Sequence, residues 1–343
     1  MKTSVPGTRG RVAGLVCALA AGLAVAPPPA AACNVPVFRY ALERWPPEPY
    51  ECILFHRGAL AGADRAAADA LEVGQSPAGP APNVALDRVD LAQPLPERWQ
   101  ALWEAQKGPA LPWLVVRYPS GDGGEGPVLW SGPLTAAAVA ALAISPARRE
   151  LARRIVKGDS AVWVLLACGD KAKDDAAEAM LGEQLRVLEK SLELPDPDVA
   201  DPDDPVPVTL RSSVPLKLAF SVLRVSRGDA AERLFIDMLL RSAGAQAPPA
   251  DQPAVFPVFG RGRILGAIAG TEMGPDTVRE AASFLAGPCS CRVKDLNPGM
   301  DMLVEANWDA VFEEPGAGRE AEVPNLAAAG PALQTAAAPP APQ

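Results

Sequence analysis

The sequence predicts a mixed α/β protein in which one unit is used twice. Three observations carry that expectation. Apolar runs of strand length alternate with stretches of helical period. Both halves of the chain place these elements in the same order. In both, a proline-bearing apolar run leads into a short glycine turn. With 343 residues, 49% of them apolar and 21% charged, there is material for two domains of ordinary size.

The first pass occupies residues 33–145. In "PVFRYALERW", Phe38, Leu42 and Trp45 fall at i, i+4 and i+7, and Pro46 and Pro47 stop the helix. "YECILFHRG" reads as a strand and is followed by an alanine-rich helix around 59–72. The strand "VALDRVDL" and the helix "PERWQALWEAQ" come next, the helix with Trp99, Leu102 and Trp103 on one face. "LPWLVVRYP" is a buried strand introduced by Pro112, and the turn "SGDGGEG" leads to the strand "PVLWSG" and the helix "LTAAAVAALAI".

The second pass occupies 146–290. It opens with the helix "ARRELARRIVKG", ended by Gly158, and the strand "AVWVLLAC". A helix from about Lys171 to Leu194 carries the stripe Leu181, Leu185, Leu188 and Leu192. "LKLAFSVLRVS" and "DAAERLFIDMLLRS" supply a strand and a helix, and "VFPVFGRGRILGAIAG" supplies Pro257, a strand, a glycine turn and another strand. "DTVREAASFLAG" closes the pass with Val278, Ala282 and Leu285 facing inward. Helical crossovers imply parallel pairing, and the short turns imply an antiparallel hairpin. Each half is therefore expected to be a mixed sheet flanked by helices.

The ends read differently. Lys2, Arg9 and Arg11 precede an apolar stretch from Val12 to Ala26 and then "PPPAAAC". That is a basic region, an apolar region too short to span a membrane well, and an A-x-A cleavage site ending at Ala32. A signal peptide is expected over 1–32, with an exported product in the periplasm, the cell envelope or outside the cell. A lipid anchor on Cys33 is the alternative, but Ala30 stands where a lipidation site usually has Leu. No later run of about 18 apolar residues follows, so no transmembrane segment is expected. Residues 291–313 form a C-terminal extension, and the Ala/Pro-rich tail 314–343 is expected to be disordered.

Both halves resemble thioredoxin-fold domains, with Pro112 and Pro257 at the place of that fold's cis-proline. The match is one of topology. The stretches "CNVPVFRYALERWPPEPYECILFHRG", "GDKAKDDAAE" and "CSCRVKDLNPG" also resemble an uncharacterised family of exported bacterial proteins, which implies no activity. The resemblance implies a redox site where the first strand of each domain meets its helix. In the first half that place reads "HRGALAGAD", with no cysteine; in the second it reads "CGDK", with Cys168 and Lys171. Dithiol exchange by a CxxC motif is excluded. A monothiol at Cys168 stays open beside the simpler reading of a small apolar residue ending a buried strand.

Export leaves Cys33, Cys52, Cys168, Cys289 and Cys291, an odd count in an oxidising compartment. For "PCSC" three readings compete: a bridge from one of the pair to another cysteine, a strained redox-active Cys289–Cys291 disulfide, or Cu(I) held with Met300 and Met302. His56, the one histidine, sits at a strand end without a G-x-S-x-G elbow and reads as structural. "GRGRILG" misses phosphate-loop spacing and reads as an exposed hairpin carrying Arg261 and Arg263. Arg148, Arg149, Arg153 and Arg154 read as a solvated helix face, and a net charge of −9 argues against a nucleic-acid partner. The aspartates of "DPDVADPDD" read as a solvated loop, and Asp174, Asp175 and Glu178 as acids complementing a helix dipole.

The function expected from these features is a non-catalytic binding or scaffold protein that holds a protein or peptide segment beside Pro112 and Pro257, with no cofactor. The alternative is a thiol–disulfide oxidoreductase using Cys289 and Cys291, with Cys168 as a further thiol. Cu(I) carriage is third.

Overall fold

A computed structural model of the chain describes residues 33–73, 81–120, 124–197, 209–289 and 293–312. The expected signal peptide and tail, Cys291 and most of the acidic loop lie outside these residues. The chain begins with β1 (Cys33–Pro36), α1 (Val37–Arg44), β2 (Tyr50–His56) and α2 (Gly62–Val73). It continues with β3 (Ala81–Pro82), β4 (Val84–Asp90), α3 (Glu97–Ala105), β5 (Trp113–Arg117) and β6 (Val128–Pro133). Two helices follow, α4 (Ala136–Ala143), capped by the Thr135 hydroxyl, and α5 (Pro146–Val156), with proline in its first turn. Next come β7 (Ala161–Ala167), α6 (Lys171–Ser191), β8 (Phe220–Ser226), α7 (Arg233–Ser242) and β9 (Ala254–Phe259). The last elements are β10 (Arg263–Ile264), β11 (Ile268–Ala269), α8 (Pro275–Ala286), β12 (Pro288–Cys289), β13 (Met300–Asp301) and β14 (Glu305–Ala306). Among the described residues no helix is long and apolar enough to cross a membrane.

Two mixed sheets dominate. The first has the order β4-β2-β5-β6 and the second the order β13-β10-β9-β7-β8, with β11 also on β9. Their pairings keep step. β2 runs parallel to β4 for seven residues from Tyr50 opposite Val84, and β7 runs parallel to β8 for seven from Ala161 opposite Phe220. Phe55 opposes Trp113 on antiparallel β5, and Leu166, at the same place in its strand, opposes Ala254 on antiparallel β9. Each sheet thus repeats the expected arrangement of a parallel pair joined by a helix and extended by antiparallel strands.

Pro257 departs from expectation. The residue that leads β9, as Pro112 leads β5, is Pro253. Pro257 lies inside β9 opposite Trp163. Its carbonyl accepts from the Leu265 amide at 2.9 Å, so its own nitrogen points outward, into the gap between β10 and β11. A missing N–H is tolerated there because no ladder partner is offered.

A second departure concerns α1. The first unit was expected to start at residue 33, yet Val35, Val37, Phe38, Ala41 and Trp45 pack with Trp163, Leu181, Val255 and Val278 of the second sheet and its helices. The first sheet has no vacant face for that stripe: α2 and α4 cover Tyr50, Cys52, Leu54 and Leu114, and α3 covers Ile53, Phe55 and Val115.

The second sheet turns Trp163, Leu165 and Phe259 toward α1, α6 and α8. Its other face, with Val162, Val164 and Phe256, joins α5, α7, the α2/α4 side of the first sheet and the C-terminal Met302, Leu303, Val304 and Val311 in one core. The two sheets therefore share apolar packing, and the described residues belong to one compact unit.

Buried polar groups fasten the C-terminal segment across this core. Asn83 donates to the carbonyls of Glu48 (2.7 Å) and Met302 (3.2 Å) and accepts from the Val304 amide (3.0 Å). Asp301 accepts from the Glu48 amide (2.7 Å), from Arg263 (3.2 Å) and from Lys294. Arg263, expected on an exposed hairpin, is buried by this pairing. Arg148, expected in solvent, is 1% exposed. It donates to the carbonyls of Ala141 (2.7 Å), Leu142 (2.8 Å) and Leu303 (2.6 Å) and to the Ser145 hydroxyl (3.0 Å). A buried guanidinium needs such acceptors, because five donors without partners cost far more than the packing gains. Arg153 and Arg154 pair with Glu150 as a solvated face does.

Candidate functional site

Strand ends in α/β units collect function, and in each sheet the first strand turns there into its crossover helix. At both turns a glycine takes the left-handed conformation two residues beyond the strand: Gly58 with φ +68° after β2, and Gly169 with φ +96° after β7. Counted from the strand starts, Cys168 corresponds to Arg57.

In the first turn, the Asp90 carboxylate at the end of β4 accepts from the Gly58 amide (2.9 Å) and the Ala92 amide (2.9 Å). These backbone bonds hold its carboxyl below the usual range. The His56 Nδ1 makes a 2.8 Å hydrogen bond with the Gly58 carbonyl. His56 is thereby engaged in shaping the turn.

In the second turn, Asp174 reaches back from the first turn of α6 to accept from the amides of Cys168 (2.8 Å) and Gly169 (3.0 Å). Burial pushes its carboxyl up, but those amides, the Cys168 thiol and Arg224 outweigh burial and hold it below the ordinary aspartate value. Asp170 caps the helix by accepting from the amides of Ala172 (3.0 Å) and Lys173 (3.2 Å). The positive end of α6, which in a redox turn would face a sulfur anion, thus already holds two carboxylates. Lys171, in the second slot of "CGDK", is committed to Asp175 and largely exposed.

The other sulfurs are dispersed. Cys168 forms no disulfide. It follows the C-terminal end of β7. α8 starts at that end, beyond β11, and runs back along α6, so Cys289 lies toward the opposite end of the sheet. Cys289 is fully buried in the cluster of α1, α6 and α8. Cys52 is buried under α2 and α4, and burial pushes its thiol up to about 12. Met302 belongs to the shared core and Met300 packs against it, on the other face of the second sheet from Cys289, so the structure does not gather these sulfurs. Among the described residues no three His, Cys, Asp or Glu side chains are grouped to hold a metal ion.

The flank of Pro112 is the more open surface. The Leu111–Pro112 peptide is cis, and the Pro112 carbonyl accepts from the Leu134 amide at 3.1 Å. Among the described residues a single helix, α3, covers this face of the first sheet. Trp99 is buried against Ile53, Phe55 and Val89, while Leu102, Trp103, Leu111 and Trp113 pack around them and stay partly exposed. Phe55 and Trp103 pack with ring centroids 4.9 Å apart and planes tilted by 42°, and the Trp113 Nε1–H donates to Gln106 at 3.1 Å. These residues form an aromatic shelf beside Pro112. Pro257 has no such surroundings, being buried within its sheet.

Sequence reasoning named Pro112 and Cys168 but missed what surrounds them. The signal for Asp90 was an aspartate ending an apolar strand. For Asp174 it was an aspartate six residues after a strand-ending cysteine, which helix-dipole reasoning had already used up. Compared with known families and with curated proteins, the sequence matches none.

Proposed function

We propose that the chain is an exported, non-catalytic binding module of the cell envelope, built from two thioredoxin-like units, that holds an extended peptide segment of a partner protein on the aromatic shelf beside Pro112. The observation that carries this reading is the state of the two strand-to-helix turns. Asp90 and Asp174 already occupy the amides that a reactive thiolate or an incoming substrate sulfur would need, and no thiol pair stands at either turn. With exchange chemistry unsupported, recognition is left to the shelf. Trp103 and Trp113 offer large apolar area at low entropic cost, and a strand end next to them suits an extended peptide.

The oxidoreductase alternative is weakened by the burial of Cys289, since thiol exchange requires access to the attacked sulfur. The test places a photo-crosslinking phenylalanine analogue at Trp113, and at exposed Val187 on α6 as control, in the presence of a mixed library of nine-residue peptides. Adducts at position 113 in at least fivefold excess over position 187 are expected. Equal labelling at both positions overturns the assignment of the shelf.

A further inference from the structure

β1 and β12 form a two-stranded antiparallel ribbon in which Cys33 and Cys289 are Cα partners, with a register shift between Cys33 and Pro36. Facing residues of an antiparallel pair have Cα atoms about 4.5 or 5.5 Å apart, depending on whether they exchange hydrogen bonds. Both spacings fall within the roughly 4.4–6.8 Å over which a disulfide closes. The ribbon is held by contacts that do not involve sulfur. The Val37 amide donates to the Gly287 carbonyl at 3.0 Å, and Val35 and Val37 are buried in the same cluster as Leu285 and Cys289.

We propose that Cys33 and Cys289 form a cross-strand disulfide that pins the N-terminal segment to the strand following α8. The two thiols give up two protons and two electrons. An external protein or small-molecule disulfide takes up both electrons and both protons, its two sulfurs leaving as thiols. In the cell this oxidant depends on the export reading above, since thiols in a reducing cytosol stay reduced. One consequence reaches beyond stability: a Cys33 sulfur in a disulfide cannot also carry a lipid thioether, so the bridge excludes lipidation at that sulfur. Among the bridges the sequence left open for "PCSC", this one is set up by backbone pairing already present in the fold.

The experiment uses the full chain in two arms. In the first, protein made in a reducing cytosol is incubated in a glutathione redox buffer, alkylated, digested without reduction and analysed by mass spectrometry. A peptide linking Cys33 to Cys289 is expected, lost in Cys33→Ser and in Cys289→Ser, and reduction should lower the Tm by on the order of 5–10 °C. A Cys289–Cys291 link, or complete alkylation of every thiol, overturns the proposal. In the second arm the chain is purified from an exporting host. The same linked peptide supports the proposal there, and a lipid-modified Cys33 overturns it. A bridge in the first arm with a reduced, unmodified chain in the second supports the pairing and counts against export alone.

Discussion

Arg148→Met lowers the free energy of unfolding by about 3–5 kcal/mol, read from urea denaturation, with little change in the m-value. The side chain is 1% exposed, and its loss strands the carbonyls of Ala141, Leu142 and Leu303 in the core. It also removes a cation that interacts with Glu232, which is buried and accepts from the Ser145 hydroxyl and the Ala147 amide. Burial pushes the guanidinium down to about 10, with Glu232 and Tyr50 opposing, so it remains charged at neutral pH and its acceptors see a full cation. Methionine fills much of the volume but supplies no donor. Because the Leu303 carbonyl belongs to the C-terminal segment, the substitution also loosens the seam between the sheets. Arg153→Met, on the same helix but paired with Glu150 near the surface, should change stability by less than about 1 kcal/mol.

Asp174→Ala is the next largest effect, a loss of about 2–3 kcal/mol. The carboxylate is buried and satisfies two backbone amides at the turn after β7, which alanine leaves without an acceptor. Asp174→Asn keeps one acceptor oxygen and should fall between wild type and alanine. The pH dependence follows from the lowered carboxyl value of the folded state. The unfolded carboxyl titrates at about 3.9, so the contribution is complete above that pH and is lost as pH falls through the folded value. Thermal unfolding followed from pH 6 to pH 2.5 should show the wild-type advantage over Asp174→Asn shrinking over the acid limb. An advantage that stays constant down to pH 2.5 would show that the ionised form is not what the turn uses.

The order of strands and helices was legible because the pattern of buried residues is local. The stretch from Ala161 to Ala167 is buried throughout, and the leucine stripe from Leu181 to Leu188 faces the core. What lay beyond local pattern was partnership. The stripe Phe38, Leu42 and Trp45 announces a helix but not what receives it: Phe38 and Trp45 pack on the second sheet's α6/α8 side, while Leu42 enters the core shared with the first sheet. Arg148 has the same local sequence as its solvated neighbours. Its burial comes from Leu303, 155 residues away. Pro257 read as leading its strand because Ala254–Phe256 are as apolar as the residues after it. Only the gap between β10 and β11 shows why a proline is accepted inside. At the candidate site, the missing thiol pair was plain from the sequence, but the carboxylates seated on the turn amides depend on a chain reversal that no spacing rule encodes.

The central claim, that this fold binds without exchanging thiols, is tested most directly by insulin reduction in the presence of dithiothreitol, comparing the full chain with Cys168→Ser and Cys289→Ser. Precipitation rates equal among all three, and equal to dithiothreitol alone, are predicted. Turnover by the wild type that disappears in either variant would contradict the claim and make the sulfur the working group.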